Sequence, residues 1–244
     1  MKEPFNIHSY PELDSTNAYA LREFAGLPHG AVVTALRQTA GRGRLGRAWQ
    51  SEGKGLYFTV VVKPENPASF DFPCLTQLLA VSVCGALEEL GLEPRIKWPN
   101  DVLLGGAKLC GVLAEAFTEG GKVTGAAVGA GLNLHQQPKD FGELPYPAVS
   151  LAMTGRPVPH GPELLAAVLR GFGGRYPYYA RHAFAAIAGE YSRRFAFTGR
   201  RALVKGSGGA QAGTVKGVAP DGRLVLETSS GEKFFSGGEL EPAA

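Results

Sequence analysis

Residues 39–49 read Thr-Ala-Gly-Arg-Gly-Arg-Leu-Gly-Arg-Ala-Trp, setting Arg42, Arg44 and Arg47 among Gly41, Gly43 and Gly46 and closing on Trp49. Glycine lets backbone N–H groups come close to a ligand, because no Cβ stands in the way. A guanidinium is a planar fork of donors that fits phosphate and carboxylate oxygens. The indole adds a flat apolar face on which a purine can stack. Such a run suits a nucleoside triphosphate, with a cationic cradle for the phosphates and an aromatic plane at one end. The same composition also describes a solvated surface loop, or a basic segment gripping nucleic-acid phosphates. It is not a P-loop, whose Lys-Ser/Thr end it lacks, nor the dinucleotide fingerprint, whose strand–helix setting it lacks.

Other residues able to do chemistry are scattered along the chain. Ser15, Thr16 and Asn17 follow Asp14 where a helix starts; they cap free N–H groups there, or hold a polar ligand group with their spare hydroxyls. Lys108 stands at the start of an apolar run, as an exposed strand end or as a cation for a carboxylate or phosphoryl oxygen. Asp101 is a turn residue or a ligand for Mg²⁺ or a ribose hydroxyl. Asn133 is the one strong polar group in a run of small residues, where a ligand can lie against the backbone.

These residues need elements to hold them. The pattern predicts a short strand over residues 5–13, a helix over 18–25 and strands over Ala31–Gln38 and 55–63, so the arginine run becomes a long connection between two strands. Leu75, Leu78, Leu79, Val83, Ala86, Leu87 and Leu90 recur at helical spacing and predict a buried amphipathic helix. Residues 95–104 read as a strand with a Pro-Asn-Asp corner. Gly105 and Gly106 then turn the chain into a return strand carrying Lys108. A further strand is predicted over residues 122–134, a loop over 135–150, and helices over 162–179 and 183–195. From residue 199 four or five short strands joined by Gly, Ser and Pro-Asp-Gly turns predict a small β-barrel, with a domain boundary near residue 198.

Composition narrows the class. The 244 residues suit one medium domain plus a small one, and 44% hydrophobic with 19% charged residues is the balance of a globular protein. With 25 basic against 22 acidic residues the net charge is +3, too mild for a dedicated nucleic-acid binder. The 34 glycines, about twice the ordinary usage, predict many glycine-dependent turns. Cys74, Cys84 and Cys110 show no metal-binding spacing and are expected as buried reduced thiols, which suits the cytoplasm. No signal pattern or membrane-spanning apolar segment is seen.

Several of these motifs agree in order. Ser15-Thr16-Asn17, the run from Gln38 to Trp49 and Lys97-Trp98-Pro99-Asn100-Asp101 come first. Lys108-Leu109-Cys110-Gly111-Val112-Leu113-Ala114-Glu115, Gly129-Ala130-Gly131-Leu132-Asn133 and the terminal Ser236-Gly237-Gly238-Glu239 follow. In order and spacing the chain resembles a biotin–protein ligase (biotin–[acetyl-CoA-carboxylase] ligase) of the monofunctional type over nearly its whole length.

The resemblance implies an α+β fold: a mixed β-sheet flanked by helices, class II synthetase-like, over residues 1–197, with a C-terminal SH3-like β-barrel over 198–244. It implies two half-reactions in one site. Biotin and MgATP give biotinoyl-5′-AMP, and a lysine of a biotin carboxyl carrier domain then takes the biotin. By likeness Lys108, Arg42 and Arg44 are catalytic. Ser15, Thr16, Asn17, Gln38, Gly41, Arg42, Arg44, Trp49, Lys108 and Gly111 bind biotin. Arg42, Arg44, Arg47, Trp49, Asn100, Lys108 and Asn133 bind ATP, and Asp101 holds Mg²⁺.

Leu45 departs from the family pattern, in which its place is often polar or basic. Family members that repress transcription carry an N-terminal winged helix-turn-helix, which is not found before Ser15, so no operator binding is expected. No membrane partner is expected, and a homodimer formed by edge strands is compatible with the pattern. Two rivals remain. A lipoate–protein ligase or octanoyl transferase of related fold would use Cys110 as an acyl-carrying nucleophile, but no histidine adjoins it. A non-catalytic nucleic-acid-binding module would need more basic charge and more aromatics beside the arginines.

Overall fold

The structure is a computed structural model and describes residues 5–144, 146–206 and 209–243. Residues 1–4 of the expected first domain and Ala244 of the second lie outside the described residues.

A seven-stranded mixed sheet forms the body. In chain order its strands are β1 (Asn6–Leu13), β2 (Ala31–Gln38), β3 (Gly55–Val62), β4 (Arg95–Lys97), β5 (Asp101–Leu104), β6 (Ala107–Glu119) and β7 (Lys122–Asn133). They lie side by side as β1-β2-β3-β7-β6-β5-β4. Only β1 and β2 run parallel, and every other pairing in this sheet is antiparallel.

The two-residue period of a strand sorts the sheet into two faces. Leu56, Phe58, Val60 and Val62 of β3 join Ala126, Val128, Ala130 and Leu132 of β7 on one face. There they meet α2 (Leu75–Glu89) and α3 (Gly161–His182) in the main core. The opposite face carries α1 (Thr16–Arg22), whose Ala20, with Phe24 and Leu27 just beyond it, packs on Val33, Val61 and Ala127. Gly111, Gly129 and Gly131 also belong to this second face, Gly129 beneath Asn17 of α1 and the other two beneath Trp49.

Both late helix predictions need correction. Residues 162–179 are part of a longer helix, α3, which runs through Pro177 to His182. Its buried stripe of Leu164, Leu165, Val168, Leu169, Phe172, Tyr176 and Tyr179 overrides the glycines and the proline. Residues 183–195 are not one helix. A 3₁₀ turn over Ala183–Ala186 precedes α4 (Ala188–Arg194), with Ile187 at the break between them, and Ala183, which takes a positive φ of 52°, ends α3.

Beyond residue 200 lie β8 (Arg201–Gly206), β9 (Gly209–Val218), β10 (Leu224–Thr228), β11 (Gly231–Phe235) and β12 (Glu239–Pro242). They form a five-stranded antiparallel sheet ordered β11-β10-β9-β8-β12. Among the described residues β11 and β12 do not pair, so this sheet is open along its hydrogen bonds. Its Ala202, Val204, Val215, Leu224, Leu226 and Leu240 belong to the same hydrophobic cluster as α2 and α3. Among the described residues no helix is long and apolar enough to cross a membrane.

Candidate active site

A cleft opens on the α1 face of the large sheet, floored by β6 and β7 and roofed by the arginine loop. Ser15, Thr16, Asn17, Gln38, Arg42, Arg44, Arg47, Trp49, Asn100, Asp101, Lys108 and Gly111 all line it. Twelve of the fourteen predicted site residues thus converge on one cavity. Gly41 and Asn133 are the predicted site residues that do not. Gly41 lies beside it, where a Cβ would meet the Trp49 carbonyl at 2.4 Å. Asn133 faces an adjoining pocket, which shares Trp49, Lys108 and Tyr146 with the first.

One end of the cleft is neutral and polar. Ser15 caps α1, accepting from the Ala18 N–H at 3.4 Å. Thr16 donates to Gln38 Oε1 through its N–H at 2.8 Å and its hydroxyl at 3.2 Å, and Gln38 Nε2 donates to Ser51 Oγ at 2.8 Å. Asn17 Nδ2 donates to the Leu113 carbonyl at 3.2 Å and to Glu115 Oε2 at 3.0 Å, while its Oδ1 accepts from Thr59 Oγ1 at 2.6 Å. Ser15, Thr16, Asn17 and Thr59 are all buried. Close approach explains Gly129 beneath them, since a Cβ there would sit 2.2 Å from Asn17 Oδ1. This is a pocket of preoriented, uncharged donors and acceptors. Thr59 was missed in sequence because it looks like one more β-branched strand residue.

The middle is set by Trp49. Its indole lies against the bare backbone of β6 and β7, where a Cβ on Gly131 would meet Nε1 at 2.4 Å and one on Gly111 would meet the ring at 2.9 Å. Trp49 Nε1 is buried without a partner among the described residues. Lys108 Nζ stands 5.3 Å from the Trp49 ring centre and 5.3 Å from that of Tyr146.

The far end is charged. Lys108 Nζ pairs with Asp101 Oδ1 at 2.7 Å, each side chain 14% exposed. Lys97 stands close by, its Nζ 5.6 Å from the Tyr146 ring centre, and burial pushes its pKa down. Arg44 donates to Asn100 Oδ1 at 2.9 Å and to the Gly238 carbonyl at 3.2 Å, and burial pushes its guanidinium below its ordinary value. Asn100 in turn donates to the Val112 carbonyl at 2.7 Å. Arg47 makes a two-pronged ion pair with Glu239, one prong at 2.8 Å from Nη1 to Oε1 and the other from Nη2 to Oε2. That pair holds the Glu239 carboxyl below the usual range. Arg42 pairs with Glu115 at 3.1 Å nearer the solvent.

Arg42, Arg44, Arg47 and Lys108 therefore each have a protein acceptor opposite them, which an anionic ligand would replace or join. Glu239, Gly238, Lys97, Glu115 and Tyr146 were not singled out as site residues. The terminal Ser236-Gly237-Gly238-Glu239 motif gives Glu239 no role by itself, and only the fold brings it to residue 47.

For Mg²⁺ the donor set is sparse. Asp101 is the carboxylate beside Lys108, and among the described residues no group of three or more His, Cys, Asp or Glu is placed to hold a metal ion. A single carboxylate fits Mg²⁺ that arrives on nucleotide phosphates and keeps several waters.

Cys110 cannot serve as the acyl carrier of the rival reading. It is fully buried on the opposite face of β6, and desolvation pushes its thiol well above the ordinary value.

Comparison with known proteins agrees with this geometry. The sequence profile of the Biotin/lipoate A/B protein ligase family matches residues 10–133. The chain is 35% identical over 217 residues to the Bifunctional ligase/repressor BirA of Bacillus subtilis, covering 88% of this chain and 66% of that relative's length. It is 33% identical over 236 residues to the Biotin–[acetyl-CoA-carboxylase] ligase of Paracoccus denitrificans, covering 93% of this chain and 96% of that one. The fold superposes on the Aquifex aeolicus biotin protein ligase in complex with biotin and ATP with a TM-score of 0.81 and 30% identity, over 97% of each chain. With its polar pocket, arginine loop and Lys108 arranged on the sheet that these relatives share, the chain belongs to the biotin–protein ligase family.

Proposed function

We propose that the protein activates biotin with ATP to biotinoyl-5′-AMP and transfers the biotinoyl group to a lysine of a biotin carboxyl carrier domain. The observation that carries this reading is the single cleft running from a buried neutral pocket, past an indole, to a cluster of cations. A bicyclic urea needs uncharged donors and acceptors, which Ser15, Thr16, Asn17 and Gln38 supply. Its carboxylate then points past Trp49 toward Lys108. In the first step a carboxylate oxygen attacks the α-phosphorus and pyrophosphate leaves. Two anions must be pressed together, and Lys108, Arg42, Arg44 and Arg47 offset their repulsion and the charge of the in-line transition state.

Asp101 would hold Mg²⁺, which when bound screens the phosphate charge. The nucleotide extends from Asn100 and Lys108 into the adjoining pocket, with its base beside Asn133 and Trp49. In the second step the carrier amine attacks the acyl carbon of the mixed anhydride and AMP leaves. The roof formed by the arginine loop excludes water that would hydrolyse that anhydride. Residues up to 197 carry this chemistry, and the strands from 198 onward form a C-terminal domain that closes the cleft.

The test is titration of the purified protein with biotin, then MgATP, with lipoate as control, while pyrophosphate is assayed. Biotin-dependent pyrophosphate release is the expected result. Release with lipoate and none with biotin would overturn the reading.

A further inference from the structure

The Lys108 side chain lies across Gly111, where a Cβ would meet its Cε at 3.2 Å and its Nζ at 3.3 Å. Asp101 Oδ1 holds the ammonium from one side at 2.7 Å. Two aromatic rings stand around the same nitrogen, the centres of Trp49 and Tyr146 each 5.3 Å from it. An ammonium within about 6 Å of a ring centre is attracted by the π-system, more strongly where water is excluded.

Trp49 belongs to the arginine loop, but Tyr146 comes from the separate connection that follows β7, and the backbone fixes its place. The Lys108 N–H donates to the Pro147 carbonyl at 2.8 Å, and the Val149 N–H donates to the Lys108 carbonyl at 3.0 Å. Lys108 and Ala148 thus form a short parallel bridge. Asn133 Nδ2 ties the end of β7 to both segments, donating to the Lys108 carbonyl at 3.4 Å and to the Val149 carbonyl at 3.1 Å. Tyr146 directly precedes this bracket, so the backbone of Lys108 itself sets the ring beside the Lys108 ammonium.

A lysine carries a point charge on a flexible four-carbon stem. With Asp101 as its only neighbour it would settle on that carboxylate, and an incoming anion would have to draw it away. Rings on the other sides hold the ammonium in place without supplying a competing oxygen. A substrate oxygen then gains the charge at less cost.

We propose that Tyr146 is a positioning residue for adenylation, its ring completing with Trp49 a cage that aims the Lys108 ammonium at the reacting carboxylate and α-phosphate. This rests on the reading of Lys108 as a cation of the first step. Tyr146 acts through Lys108 and need not touch the substrate.

The experiment is a double-mutant cycle on biotin-dependent pyrophosphate release, with Tyr146→Leu, Lys108→Gln and the two combined. Tyr146→Leu is expected to lower kcat by about two- to thirtyfold, the range of one cation–π contact. KM for biotin and for MgATP should change little, since the contact matters in the transition state. Tyr146→Phe, which keeps the ring, should retain the kcat that Tyr146→Leu loses. In the Lys108→Gln background Tyr146→Leu should cost nothing further, because the ammonium it aims is gone. A wild-type kcat in Tyr146→Leu would overturn the proposal, as would a rise in KM alone. An equal loss in Tyr146→Phe, or the full loss repeated in the Lys108→Gln background, would overturn it too. Should Tyr146→Leu not fold, Tyr146→Met takes its place. A wild type that releases no pyrophosphate with biotin and MgATP would overturn the functional reading itself. Release by the wild type without coupling between Tyr146 and Lys108 would overturn only this inference.

Discussion

Lys108 and Asp101 are the residues whose partnership most constrains the chemistry. Held 2.7 Å apart and largely shielded from water, they neutralise each other until an anionic substrate competes for the ammonium. Lys108→Gln is expected to lower the rate of adenylation by about 10²–10³-fold, the scale seen when one preorganised electrostatic contact to a transition state is removed. It should also lower stability, since Asp101 keeps its charge and loses its partner. Adding Asp101→Asn should recover stability in a denaturant titration without recovering activity. Recovery of activity as well would show that Lys108 serves only to neutralise Asp101. Gly131 is constrained in a different way, by the indole on top of it. Gly131→Ala should displace Trp49 and weaken biotin and ATP binding together, with a change in tryptophan fluorescence. Unaltered fluorescence and binding would mean that the indole is free to shift at no cost.

At the scale of elements, a bulge decides which way Lys108 faces. β5 and β6 pair Asp101 with Gly111 and Val102 with Cys110, but Leu103 with Lys108, so Leu109 is the extra residue. With regular alternation an even-numbered Lys108 would share the core face with Cys110 and Val112. The bulge turns it to the face of Asp101 and Gly111, the kind of re-aiming that bulges provide beside active sites. Nothing in the run of residues 107–115 announces that bulge, so the strand and its hairpin were legible in the sequence while the direction of its lysine was not. The arginine loop was legible as a binding loop for the opposite reason: glycine and arginine carry their chemistry locally. Its partners were not, because Gly238 and Glu239 reach it only through the folding of the terminal sheet. Those contacts hold the roof across the cleft, and Arg47 and Glu239 should act as one unit. Glu239→Arg is expected to raise AMP release per biotin transferred severalfold, as adenylate is lost to water. Combining it with Arg47→Glu should restore the ratio, and failure of the swap to do so would exclude the ion pair as the cause.

Across the whole molecule the terminal sheet is joined to the body by more than its tether. Its β9–β10 turn is inserted into the catalytic body, where the Gly222 carbonyl accepts from Gln77 Nε2 at 2.9 Å and from Trp98 Nε1 at 3.0 Å. Gly222 has a φ of 80°, and a Cβ on it would meet Cys74 Sγ at 2.6 Å and Gln77 Oε1 at 2.7 Å. Gly222→Ala should therefore cost about 1–3 kcal/mol and disturb the Trp98-Pro99-Asn100-Asp101 corner, seen as a lower Tm with weaker nucleotide binding. The opposite side of the core is tied by a second long-range device. Arg194, buried at the end of α4, donates to both oxygens of Glu88 on α2 at 2.7 Å, and Arg175 donates to Glu190 at 2.9 and 2.6 Å. The arginine bonds hold both carboxyls, Glu88 and Glu190, below their ordinary values. A depressed carboxylate pKa means that the unfolded chain binds protons more readily than the folded one. The stability from these pairs is thus complete above the ordinary glutamate range and is lost as pH falls through the depressed folded values. Unfolding free energy measured by denaturant should fall between neutral pH and pH ~3. In Glu88→Gln/Glu190→Gln the fall should be shallower, because the two groups that take up protons are gone. An equally steep fall in that variant would place the acid sensitivity elsewhere, in the Arg47–Glu239 closure of the cleft, whose carboxyl is depressed in the same sense.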